Sequence, residues 1–161
     1  MASGPAAEVY EGLREILLTR PPAELGIEPR EPLTTVWGAL VEIGVAGGGS
    51  ATIVSLADGT TSMYTSGGGG VIGAGQHKGP ADASRRFLAA LQAHLDVLPS
   101  ADACPLPPGD SVAFVVLTYE GKRRLEATER RLSDPHDPAY TLWIAANEVM
   151  TEIRLLSQPE G

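Results

Sequence analysis

From Glu8 to Thr19 apolar residues return at helical spacing, with Val9, Leu13, Ile16 and Leu17 on one side, until Arg20-Pro21-Pro22 stops the pattern. That predicts an amphipathic first helix. Pro22 to Pro32 follows as an extended, proline-broken connector, so residues 1–32 read either as part of the core or as an arm. The pattern then changes. Thr35 to Ile43 is β-rich and mostly apolar, and Gly44 to Ser50 turns the chain. Ala51 to Ala57 predicts a second strand. Thr60 to Ser66 predicts a third, with Thr61, Met63 and Thr65 on one face and Ser62 and Tyr64 on the other. Between these two, Asp58-Gly59 predicts a two-residue type I′ turn, which needs positive φ at both central positions. Val71-Ile72 leaves room for a short fourth strand.

In the second half Gly79-Pro80 opens a helix, with Phe87, Leu88, Leu91, Leu95 and Leu98 on one face before Pro99 ends it. Val112 to Tyr119 is apolar enough for a central strand buried on both faces. Glu120-Gly121 turns the chain into Lys122–Arg131, read as a strand although Leu125, Thr128 and Leu132 also fit a helix. Asp137-Pro138 is an N-cap followed by proline at the first helical position. The stripe behind it is Leu142, Ala146, Val149, Ile153 and Leu156, widened by Trp143 and Met150. The expectation is one α+β domain over residues 1–161. Its antiparallel β-meander sheet has about five strands in the order α-β-β-β-α-β-β-α, with the helices packed on one face.

Composition narrows the function classes. A chain of 161 residues, 43% hydrophobic but only 5% aromatic, builds a mostly aliphatic core without help from metal or disulfides. Its net charge of −8 argues against a nucleic-acid partner, since binding phosphate needs clustered cations. Cys104 is the one cysteine, which rules out an intramolecular disulfide and any multi-cysteine zinc site. The opening Met-Ala-Ser-Gly-Pro has no leader pattern, and no apolar run reaches the length of a membrane span. The expected location is cytoplasmic, with no membrane partner and no cofactor.

The feature that stands out chemically is the glycine run from Thr65 to Gly79. Gly68 to Gly73 matches G-x-G-x-x-G by letter, but the helix starts too late and the flanking strands read as antiparallel, so a dinucleotide fingerprint does not follow. Two readings stay open. In one, Ser66, Gly68, Gly69, Gly70, Gly73 and Gly75 let backbone N–H groups approach an anion, with His77, Lys78 and the next helix N-terminus adding positive potential. In the other, the glycines form an edge strand or bulge, or let another backbone pack closely. No catalytic set emerges. Ser66, His77 and Asp58 lack a nucleophile-elbow frame. His94 falls at the margin of a helix face and His136 in a capping loop, while Glu42 and Glu148 are expected at solvent-facing or edge positions. No spacing suits a metal.

Leu56-Ala57-Asp58-Gly59-Thr60-Thr61-Ser62-Met63-Tyr64, followed by Gly68-Gly69-Gly70-Val71-Ile72-Gly73-Ala74-Gly75, resembles a stretch found in a group of small bacterial proteins of unknown function. The resemblance implies a bacterial cytosolic origin and assigns no site. The leading functional expectation is a non-enzymatic interaction domain that binds a protein partner of a regulatory or immunity type. The alternative is a small-molecule or anion-binding domain, enzymatic or not, built on residues 67–79. A homodimer is also expected, because apolar residues on both faces of Thr35–Ile43 exceed what modest helices cover.

Overall fold

Strand-forming runs that are apolar on both sides need cover on both sides, and this chain supplies it. The computed structural model describes residues 5–157; residues 1–4, part of the Met-Ala-Ser-Gly-Pro opening on which the expectation about a leader fell, lie outside the described residues. Helix α1 (Pro5–Thr19) comes first and a 3-10 turn follows at Pro22–Leu25. Strands β1 (Val36–Gly44), β2 (Ser50–Leu56), β3 (Thr61–Thr65) and β4 (Gly70–Val71) form a meander, and α2 (Lys78–Ala93) leaves it. Strands β5 (Ser111–Thr118) and β6 (Gly121–Thr128) follow, then the single turn α3 (Glu129–Leu132) and the long α4 (Pro138–Ser157). The fold is α+β around one six-stranded antiparallel sheet in the order β4-β3-β2-β1-β5-β6.

The sheet separates two apolar layers. Phe87, Leu88 and Leu91 of α2 and Leu142, Ala146, Val149 and Ile153 of α4 pack on Val41, Ile53, Phe114 and Val116. On the opposite face Tyr10, Leu13 and Leu17 of α1 cover Leu40, Val54, Tyr64, Val115 and Leu117. Helices therefore lie on both faces, not on one as expected. The cause is α1, whose buried Tyr10 and inward stripe close the second face. All eight residues of β5 are buried, as its unbroken apolar run predicted. A register shift between Val36 and Gly38 is a bulge that exchanges the faces of β1, so Val36 and Trp37 alternate out of step with Ala39 to Glu42. Both faces of β1 are covered within the chain, and the uncovered apolar surface expected there is absent.

Several boundaries moved for local reasons. Helix α2 begins at Lys78, with His77 as its N-cap, and ends at Ala93; Leu95–Val97 continues as a 3-10 turn and still buries Leu98. In α4 the Asp137 carboxylate accepts the Ala139 N–H at 2.9 Å, as an N-cap does, and also pairs with Arg131. That hydrogen bond to Arg131 holds the Asp137 carboxyl below its ordinary range. Leu156 lies past the buried stripe and is 39% exposed. At the outer edge of the sheet, Arg124 N–H donates to the Pro99 carbonyl and Ala101 N–H to the Lys122 carbonyl, each at 3.0 Å, so the 99–101 segment lies along β6. None of the helices among the described residues is long and apolar enough to cross a membrane.

The hairpin at Asp58-Gly59 forms, with a different turn from the expected one. Gly59 has φ +95° but Asp58 does not share positive φ, so the turn is not type I′. Gly59 N–H donates to the Leu56 carbonyl and Leu56 N–H to the Thr60 carbonyl, both at 2.9 Å. This is a three-residue loop, a type I turn closed by a left-handed glycine. Asp58 supports it by accepting the Thr60 N–H at 2.9 Å. Gly59→Val should cost about 1 kcal/mol or more, since a β-branched residue resists positive φ. The new Cβ would also stand 2.7 Å from Arg85 Nη2 and 3.3 Å from Ala81 Cβ. Urea denaturation checks this, and an unchanged midpoint would show that the loop does not need its glycine.

Candidate functional site

The glycine run divides into three places. Thr65 to Gly69 is a tight loop in which the Gly68 N–H donates to the Thr65 carbonyl at 3.1 Å and the Gly69 N–H to Thr65 Oγ1 at 3.1 Å. Beside it, Ser66 Oγ accepts the Ser50 N–H at 3.0 Å. Gly70 pairs with Tyr64 in the sheet, where an added Cβ would stand 2.8 Å from Tyr64 Cα. Further on, Gly73 is left-handed at φ +79° and starts the 3-10 turn Ala74–Gln76, and Gly75 packs against the Gly59–Thr61 hairpin. The third place is the start of α2. There exposed Lys78 pairs with Asp82, and the Glu152 carboxylate stands against Gly79. The chain thus places an acid of its own where an anion would meet the helix N-terminus.

Of the eight candidate residues, Gly68, Gly69 and Gly70 line a cavity together. It is a groove of about 350 Å3 between α1 and the β3–β4 hairpin. Val9 and Leu13 form its helical wall, and Ile72 and Thr65 stand on the hairpin side. Tyr10 and Tyr64 contribute aromatic surface, edge to face with centroids 5.4 Å apart. Val9 and Ile72 are 62% and 69% exposed. Apart from the two tyrosines the lining holds no titratable side chain among the described residues, and these offer neither a cation for a phosphate nor a base and nucleophile.

Next to this groove lies a buried polar network. Glu42 is fully buried in β1, not at the solvent-facing or edge position expected for it. Its carboxylate accepts Arg14 Nε at 2.6 Å and Arg14 Nη2 at 2.9 Å, and Arg14 also donates to the Cys104 carbonyl. Ser50 Oγ donates to the Tyr10 hydroxyl at 2.9 Å, and Tyr10 lies 2.5 Å from Thr52 Oγ1. Thr52 in turn donates to Glu42 Oε2 at 3.4 Å. With Ser50 donating at one end and a carboxylate accepting at the other, the Tyr10 proton points to Thr52. The hydrogen bond to Glu42 raises the Arg14 pKa further, and burial pushes Tyr64 well above the ordinary tyrosine range, with Tyr10 and Glu42 adding to it. Arg14 occupies both carboxylate oxygens, so the network seats α1 and leaves no free base. No local pattern in β1 announces Arg14, which is 28 residues away in the chain.

The remaining candidates stay apart. Asp58 serves its own turn and Ser66 serves Ser50, while His77 stands at the N-cap position of α2 without a side-chain capping bond and bonds to neither of them, so no triad assembles. His94 Nδ1 lies 2.7 Å from the Ala90 carbonyl, His136 is exposed, and Glu148 is exposed beside Arg86. Burial raises the Cys104 thiol pKa, which disfavours the thiolate. No group of three or more metal-ligating side chains occurs among the described residues. No protein-family model, curated protein or solved structure matches the chain. The groove is therefore read from its own chemistry.

Proposed function

We propose that this domain works by binding another protein, without catalysis, and that the partner docks in the groove between α1 and the β3–β4 hairpin. The observation that supports this is the pair Val9 and Ile72, large apolar side chains left exposed across an apolar cleft with tyrosines in its wall. Water is a poor neighbour for such a surface, and contiguous exposed apolar patches commonly mark protein interaction sites. A regulatory or immunity-type role suits an acidic domain of this size, with a basic partner steered in by its charge. The anion-binding alternative has less support, because Gly68–Gly70 face an apolar groove while Lys78 pairs with Asp82 at another part of the run. Self-association also loses its expected basis, since β1 is covered on both faces.

A photo-crosslinking residue at position 72 is expected to give a discrete protein adduct in the native cytosol, and Val9→Asp should suppress it. The same probe at exposed Glu148, on α4 at the opposite face, should give none. Matching adducts from both positions would remove the groove from consideration.

A further inference from the structure

Three features on the outward side of α1 have no cause among the described residues. Val9 and Ile16, seven residues apart and so on one flank, are 62% and 39% exposed. Gly12 lies between them at the crest. It has no positive φ, and among the described residues nothing stands within 4 Å of where its Cβ would be. Neither backbone conformation nor packing among the described residues asks for glycine there, although glycine weakens a helix interior relative to alanine. Along the other flank run Glu8, Glu11 and Glu15, all exposed and none in an ion pair among the described residues. Like charges three and four residues apart repel, so Glu11 and Glu15 weaken the helix that carries them, while Glu8 stands in the first turn where the helix dipole favours an acid.

We infer that α1 and the adjoining groove take an amphipathic segment of a partner protein whose apolar stripe is flanked by lysine or arginine. This rests on the reading of the groove as a protein-binding surface and specifies what fits it. The apolar stripe seats over Val9, Ile16 and Ile72. Gly12 lets the incoming backbone approach α1 closely, and the basic flank meets Glu8, Glu11 and Glu15. Each feature that weakens the isolated helix becomes useful once such a segment is present. The net charge of −8 draws the same chemistry from a distance. A second copy of this chain fits less well. It carries the same acidic row, and a two-fold axis relating two antiparallel α1 helices sets like flank against like flank.

The probe is a synthetic helical peptide with a leucine stripe flanked by lysines, beside a twin with glutamates in place of the lysines. Both are titrated by fluorescence anisotropy against the full chain at low and high salt. The lysine peptide should bind, more weakly at high salt, and the glutamate twin should not. Ile72→Asp should abolish binding even though it makes the protein more acidic, which separates seating in the groove from non-specific adsorption. Glu11→Lys/Glu15→Lys should weaken the lysine peptide roughly tenfold and flatten its salt dependence. Equal binding of both peptides, lost on Ile72→Asp, would overturn the basic complement while leaving the groove as a protein site. If neither peptide binds, or binding ignores Ile72→Asp and Val9→Asp, the inference and the groove reading fall together. A dimer at micromolar concentration that Val9→Asp dissociates would make a second copy the occupant and overturn the basic segment.

Discussion

Arg14→Met should lower the unfolding free energy by about 3–5 kcal/mol, because it leaves the Glu42 carboxylate buried with no opposite charge. Glu42 is fully buried and Thr52 is its remaining hydrogen-bond donor, at a long 3.4 Å. A lone carboxylate there has to recruit water, and the route open to water is the lifting of α1. Amide exchange should therefore speed up first in Pro5–Thr19 and along the sheet face beneath it. The double change Arg14→Met/Glu42→Leu should recover most of the loss, since apolar replacements of similar volume often match a buried ion pair. Chemical denaturation of the two single variants and the double gives the coupling directly. A single variant within about 0.5 kcal/mol of the parent, the range of ordinary surface changes, would show that the pair does not hold α1 down.

Within the glycine run, Gly75→Val should destabilise by about 1–3 kcal/mol while Gly69→Ala stays within about 0.5 kcal/mol. A Cβ at Gly75 would run into the Gly59 carbonyl and stand 2.7 Å from Thr61 N and 2.9 Å from Thr60 Cα. Those are backbone atoms of the hairpin, which cannot swing aside as a side chain can. At Gly69 the nearest atom to an added Cβ is Thr65 Oγ1 at 3.6 Å, an ordinary contact. Melting temperatures of the two variants decide the matter. Equal sensitivity at both positions would mean that the run acts as one unit after all.

That contrast shows why the glycine run was hard to read from letters. Glycine marks a position where a side chain would be in the way or where the backbone needs positive φ, and the residue type does not say which. Gly73 is there for its backbone, Gly75 for a neighbouring hairpin, and Gly69 for neither. Elements with strong local causes were legible: the unbroken apolar run of β5, the Asp137-Pro138 start of α4, and the turn after Leu56. What depended on remote partners was not. The side of the sheet that α1 covers is decided by Tyr10 and Arg14 meeting Thr52 and Glu42, across separations of 42 and 28 residues. The groove is a product of the same meeting, since one wall belongs to α1 and the other to the β3–β4 hairpin. Exposed apolar side chains were anticipated on β1, but the bulge and two covering layers buried that strand. The two most exposed are instead Val9 and Ile72, on elements that looked ordinary in isolation, and others are scattered, among them Ile16, Val45, Ile144 and Leu155.

The way the sheet ends has a consequence for crowded conditions. On one side the strand next to solvent is only Gly70–Val71, too short to template another chain. On the other, the 99–101 segment occupies backbone groups of Lys122 and Arg124, and Arg123 reaches back to the Leu95 and Leu98 carbonyls. A two-residue strand at one rim and the covered Lys122–Arg124 stretch at the other shorten the open edge by which copies of this protein could zip into extended cross-strand stacks. If the proposed binding role holds, recognition falls to side chains on α1 and the hairpin, where specificity can be set one residue at a time.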